Sequence, residues 1–263
     1  MNTPRATARR HRMRAAACAV VALAVAPSAC GGPGKAPGPG PTRQAAQVPG
    51  GADGNAAEPR SAHPRAVLPA ELPGLGPRTR GEIGKDTRQA LVVTGKDRDS
   101  TDAGAVLYEK TAHGWRTARS WSAQNARRGW TDHHVQGDLR SPIGVFGLTD
   151  AGGLLPDPGT RLPYDHGRGY RINRTDASGQ SLRGSFDYVV AINYNRRAGH
   201  NPLDWGRPLG ADRGGGIWLH VEHTTPTSGC VALKREAMKE LLQALDPAKK
   251  PVVVMGPTTD LAK

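Results

Sequence analysis

Cysteine is almost missing from this chain: among 263 residues only Cys18, Cys30 and Cys230 carry a thiol. Two of them fall within the first thirty residues, so everything downstream can close no disulfide of its own, and a disulfide-stapled scaffold is excluded. Long hydrophobic runs are lacking too. The most apolar stretch, Ala15–Ala26, is too short to cross a bilayer as a permanent helix. Acids are scarce beside bases, 23 Asp and Glu against 36 Lys and Arg, for a formal charge of +13. No segment repeats at a fixed period, which removes solenoids and propellers.

What is present begins with a basic start (Arg5, Arg9, Arg10, Arg12, Arg14), the apolar stretch, and then Ser28-Ala29-Cys30. This order predicts an export signal over residues 1–30. The small residues before Cys30 resemble a bacterial lipoprotein processing site, with Pro27 where an aliphatic residue is usual. The expectation is lipidation at Cys30 and a place in the cell envelope, anchored to the outer face of the cytoplasmic membrane; ordinary cleavage and release is the alternative. Loss of the segment before Cys30, with its five arginines and no acid, lowers the charge from +13 to +8. For an exported protein that excess favours anionic envelope polymers or headgroups and no nucleic acid, and it also serves plain solubility.

Residues 31–85 are rich in Gly, Pro and Ala, as in Pro37-Gly38-Pro39-Gly40, with no sustained hydrophobic period. Such composition cannot offset its ordering entropy, so a tether is expected, with an r.m.s. reach of roughly 40 Å. Residues 86–257 suit one domain, and 258–263 a tail. Short β-type runs dominate that domain: 90–94, 104–110, 115–123, 143–148, 186–193, 216–221 and 251–255. One helix is expected over Lys234–Leu245, where Met238, Leu241, Leu242 and Leu245 recur at helical spacing. The fold class is therefore mainly β (α+β), sandwich-like, with one principal C-terminal helix.

A cysteine without a partner is either inert packing or a nucleophile. In Gly216-Ile217-Trp218-Leu219-His220-Val221, strand alternation places Trp218 and His220 on one face. A tight turn, Thr227-Ser228-Gly229-Cys230, then returns the chain just before the helix. An imidazole able to take the thiol proton, and a helix N-terminus able to favour the thiolate, suit attack on an amide carbonyl. Backbone N–H groups of Gly229 and Cys230 are candidate oxyanion donors. Spacing alone leaves open whether water or an amine accepts the acyl group.

The words around the pair resemble a known family. Ile217–Val221 followed by Pro226-Thr227-Ser228-Gly229-Cys230-Val231-Ala232-Leu233 is similar to the catalytic segment of L,D-transpeptidases of the YkuD type. Arg140-Ser141-Pro142-Ile143-Gly144-Val145-Phe146 resembles the Thr-Pro-x-Gly-x-Phe strand entry of that family, and the likeness spans about residues 90–256. Two positions depart: Ser228 stands where the motif has histidine, and Ala232 where many members have arginine.

The resemblance implies that Cys230 is the nucleophile and His220 its base, oriented by the backbone carbonyl of Val221. Gly229 matches the motif glycine, and Thr227 and Ser228 would lie on the substrate side. It implies peptidoglycan stem peptides as substrates, cross-linked through a cysteine thioester, with carbapenem-type β-lactams as inhibitors and no cofactor or metal. An L,D-carboxypeptidase or related hydrolase, or a non-catalytic wall-binding lipoprotein, are the rival readings.

Other residues are weighed on their own. Tyr194 is a candidate for stem-peptide contact or for strand-edge packing. His133 and His134 are expected at the surface, and Gly214-Gly215-Gly216 as a flexible turn. Trp205 and Trp218 are expected in the core or the cleft wall. His223 completes His220-Val221-Glu222-His223, whose side chains would not converge on a metal as a helical i, i+4 pair does.

Overall fold

The computed structural model describes residues 67–176 and 178–263. The expected signal, Cys30 and most of the expected tether lie outside the described residues. Eleven strands follow one another: β1 (Gln89–Gly95), β2 (Asp102–Thr111), β3 (Gly114–Gln124), β4 (Trp130–Thr131), β5 (Ser141–Pro142), β6 (Gly144–Gly153), β7 (Tyr164–His166), β8 (Val189–Ile192), β9 (Trp218–Val221), β10 (Val231–Leu233) and β11 (Val252–Pro257). Three α-helices join them: α1 (Pro77–Gly81), α2 (Arg235–Ala244) and α3 (Thr258–Leu261). The protein is mainly β, as its alternating apolar runs require, and α2 occupies the stretch that helical spacing marked.

Nine strands form one sheet in the order β11-β1-β2-β3-β10-β9-β8-β6-β7. β11 also pairs antiparallel with the first half of β6, so the sheet closes on itself. The second half of β6 continues beside β8, with a register shift between Leu148 and Asp150. Closure places two surfaces in need of cover. The inner core gathers Leu91, Val93, Leu107, Leu148, Ile192, Leu219 and Leu233 with Met238, Leu241 and Leu242 of α2. Gln89, buried among them, closes the end of that helix: its amide donates to the Ala244 carbonyl at 2.8 Å, and its oxygen accepts from Asp246 N–H at 2.9 Å.

β1 is buried on both faces, which explains its unbroken Ala-Leu-Val-Val run. Ala90 and Val92 face a second cluster with Leu72, Leu75, Trp115, Val254 and Leu261. Two expected boundaries move as a result. Residues 67–85 are not all tether, because Leu72 and Leu75 are buried and Gly76 N–H donates to the Leu261 carbonyl at 2.8 Å. Residues 258–263 are not a tail, because they carry α3 and Leu261 is 1% exposed. Each segment holds too few apolar residues to show a period, yet each covers an apolar face presented by distant strands. Leu261→Ala is accordingly expected to lower unfolding free energy by about 2–5 kcal/mol, the usual cost of emptying a packed leucine site. Denaturant titration would show no change if the segment were loose.

Candidate active site

Parallel pairing of β9 with β10 sets Ala232 opposite His220 and Val231 opposite Leu219. The alternating face that carries Trp218 and His220 therefore also carries Cys230 and Ala232. Cys230 stands level with Trp218, whose backbone N–H donates to Sγ at 3.4 Å. The thiol in turn donates to the Gly216 carbonyl at 3.6 Å. Cys230 is half-buried and is the free cysteine of the described residues. It lines two adjoining clefts of about 700 and 480 Å³, and His220 lines the second with it.

His220 is 3% exposed. Its Nδ1 lies 2.8 Å from the Val221 carbonyl oxygen, which can only accept, so Nδ1 bears the proton and Nε2 is left with its lone pair. Phe186 meets the imidazole edge-on at 5.4 Å, and the His223 ring stacks on it at 5.9 Å. Burial pushes the His220 pKa down to about 4, against the pull of the Val221 carbonyl; His223 nearby lowers it further. Burial also pushes the Cys230 thiol up to about 11, with Trp218 N–H opposing. Both groups rest neutral. His220 is not among the hydrogen-bond partners of the sulfur, so the thiol hydrogen must turn from Gly216 toward Nε2 before it is transferred.

This corrects the expectation of a thiolate favoured by a helix N-terminus. Three strand residues of β10, about 10 Å of extended chain, separate Cys230 from α2. The strand that sets Cys230 on the same face as His220 also carries it away from the helix's free N–H groups.

The turn before Cys230 is held from both sides. Thr227 N–H donates to Asn125 and its carbonyl accepts from Arg127 N–H. The Thr227 hydroxyl donates to the Cys230 carbonyl at 2.6 Å, and the Ser141 hydroxyl to the same oxygen at 3.2 Å. The stretch around Ser141-Pro142, noticed for its resemblance, thus fastens the turn that carries Cys230. Thr227 is buried and ties the turn together while still lining the second cleft, and Ser228 is exposed and lines both clefts.

A Cβ on Gly229 would meet Ile217 Cδ1 at 3.0 Å, so the end of that side chain would have to shift by a few tenths of an ångström. Its N–H already donates to the Thr227 hydroxyl at 3.3 Å. That leaves the Cys230 N–H, which has no protein partner among the described residues, as the better placed oxyanion donor.

Tyr194 is not in the cleft. It is buried against Phe146 and His134, with its hydroxyl donating toward the carbonyls of Arg213 at 2.9 Å and His134 at 3.1 Å. Strand-edge packing wins because the segment after β8 folds back under the 133–140 loop. His134, expected at the surface, is buried there, with Nδ1 3.0 Å from Asp138 Oδ1. Gly214, Gly215 and Gly216 all have positive φ, at 64°, 151° and 67°. They form a fixed bend more than a hinge: side chains there would meet His134 at Gly214 and Arg207 at Gly215. Sequence reasoning missed His134, Phe186 and Arg207; of these only the triple glycine hinted that bulky groups approach the backbone.

A family model described as the L,D-transpeptidase catalytic domain, YkuD, matches residues 79–254, well over half of the chain. No curated protein matches. Among solved structures, one titled "Structure of Bdellovibrio bacteriovorus Bd1075" is similar at 15% identity with a TM-score of 0.38. That match covers 75% of this chain, which spans 58% of the other's length.

Proposed function

Because the chain belongs to the YkuD family of L,D-transpeptidase catalytic domains, we propose that it cross-links peptidoglycan stem peptides through a thioester on Cys230. One observation carries the reading: a half-buried thiol shares a cleft and a sheet face with an imidazole whose Nε2 is left as an acceptor.

In the proposed cycle, Sγ attacks the carbonyl carbon of the donor's L,D amide while its proton passes to His220 Nε2. With both groups neutral at rest, transfer accompanies attack rather than preceding it. Negative charge on the carbonyl oxygen is met by the Cys230 N–H. The C–N bond breaks, His220 returns the proton to the departing amine, and the terminal D-alanine leaves. The side-chain amine of a second stem then attacks the thioester, its proton passes to His220, and the thiol re-forms.

Purified protein incubated with tetrapeptide muropeptides is expected to produce cross-linked dimers. Trimmed monomers alone would assign a carboxypeptidase instead. No product, together with no carbapenem adduct on Cys230, would leave only a wall-binding module.

We also propose export and lipid anchoring at Cys30, on the pattern of residues 1–30. Cys30→Ser is expected to move the protein from the membrane to the soluble fraction; unchanged fractionation would remove the anchor.

A further inference from the structure

Arg207 lies between β8 and β9 and lines the larger cleft with Cys230. Its Nη1 donates to the carbonyls of Gly206 at 2.9 Å and Asp204 at 3.3 Å. Among the described residues Nε and Nη2 have no acceptor and no carboxylate pairs with the guanidinium. The nearest acid, Asp204, has its carboxylate engaged by Gly206 N–H at 2.7 Å and His200 Nδ1 at 2.7 Å. Burial lowers the Arg207 pKa and the Asp204 charge opposes this. A half-buried guanidinium lacking a counter-ion is unfavourable by itself, so the fold must hold it there.

It does so closely. Gly215, at φ 151°, has no room for a Cβ against Nε of Arg207. A methyl group on Gly216 would stand 3.6 Å from Nη2. Trp205, 84% exposed, sets its ring under the guanidinium carbon at 5.3 Å. The Gly216 carbonyl is also the acceptor of the Cys230 thiol. Sulfur and guanidinium therefore both lie against Gly216 on the wall of one cleft.

We propose that Arg207 binds the free carboxylate of the donor's departing residue, so that the enzyme selects stems ending in a carboxylate one residue beyond the scissile amide. The inference rests on the transpeptidase reading. Nε and Nη2 form one edge of a planar fork that matches two carboxylate oxygens. Arg171 and Arg174 also line this cleft but are exposed, and Ala232 beside His220 is buried and uncharged. As the Sγ–C bond forms and the C–N bond breaks, the amine takes its proton from His220. The carboxylate keeps its charge throughout, so Arg207 is a specificity group and neither acid nor base.

The test compares two tetrapeptide donors, one with a free terminal carboxylate and one with a terminal carboxamide, by acylation kcat/KM. Wild type is expected to favour the carboxylate by roughly 10- to 100-fold, the range for a charge-assisted hydrogen-bond pair. Arg207→Gln is expected to bring the two donors within about threefold by slowing the carboxylate donor alone, read as a change in transition-state binding. Arg207→Lys, which keeps charge without the fork, should retain part of the preference and carries the comparison if the glutamine variant does not fold. Alkylation of Cys230 by a neutral chloroacetamide should be unchanged in both. A wild type indifferent to the carboxamide, or a preference that survives Arg207→Gln, overturns the inference and leaves the transpeptidase reading standing. Turnover of neither donor by wild type overturns both.

Discussion

Cys230→Ser is expected to reduce donor acylation by about 10⁴-fold or more, since oxygen is a far weaker nucleophile than sulfur without a strong base beside it. The proposed base is weak by construction. With burial holding the His220 pKa near 4, the imidazole can accept a thiol proton as the S–C bond forms, but a hydroxyl proton is several pK units further away. Fold is expected to survive, because the exchange is small and the carbonyl of residue 230 keeps its bonds from Thr227 and Ser141. Intact-mass measurement after carbapenem treatment reads the adduct directly, and muropeptide turnover reads the full cycle. A serine variant within tenfold of wild type on either readout would sink the nucleophile assignment.

His220→Gln is expected to cost about 10²- to 10⁴-fold in acylation, the span of general acid–base contributions. Its sharper signature is in pH. Wild-type activity should hold level through neutrality and fall on the acid side near 4, where Nε2 takes a proton; the variant should lack that limb. Stability carries the same mark. An unfolded chain binds a proton at His220 near 6.5 while the folded one resists until about 4. Stability contributed by the neutral imidazole is thus fully present above about 6.5 and is lost as pH falls through 4. The difference reaches roughly 3 kcal/mol at acid pH by linkage. Thermal unfolding of wild type and His220→Gln across that window should converge in slope only above 6.5. Parallel melting curves at every pH would show that the ring is hydrated, contrary to its burial.

Much of this protein was legible residue by residue. The unbroken apolar run of β1, period-two alternation around β2, β3 and β9, and the 3.6-residue stripe of α2 are local signals read within a dozen positions. The thiol and imidazole were equally visible, since a cysteine with no partner and a histidine on the adjacent strand stand close in the chain. Tyr194 and His134 were not legible: whether each faces solvent, cleft or core is decided by the 133–140 loop and the segment after β8 meeting in space. Residues 72, 75 and 261 were lost for the same reason, their partner surface being assembled from β1 and β11.

Sequence alone determined the strand-rich class and the principal helix, and it singled out the thiol and imidazole that the proposal uses, because those follow from short-range periodicity and side-chain chemistry. Tertiary structure decided that the sheet closes through β11 and β6, that β10 parts Cys230 from α2, and that the thiol and the imidazole rest uncharged. It also decided that Arg207 lines one cleft with the thiol. Ionisation and proximity depend on what desolvates a group and what lies across from it, and those neighbours are supplied by segments tens of residues away.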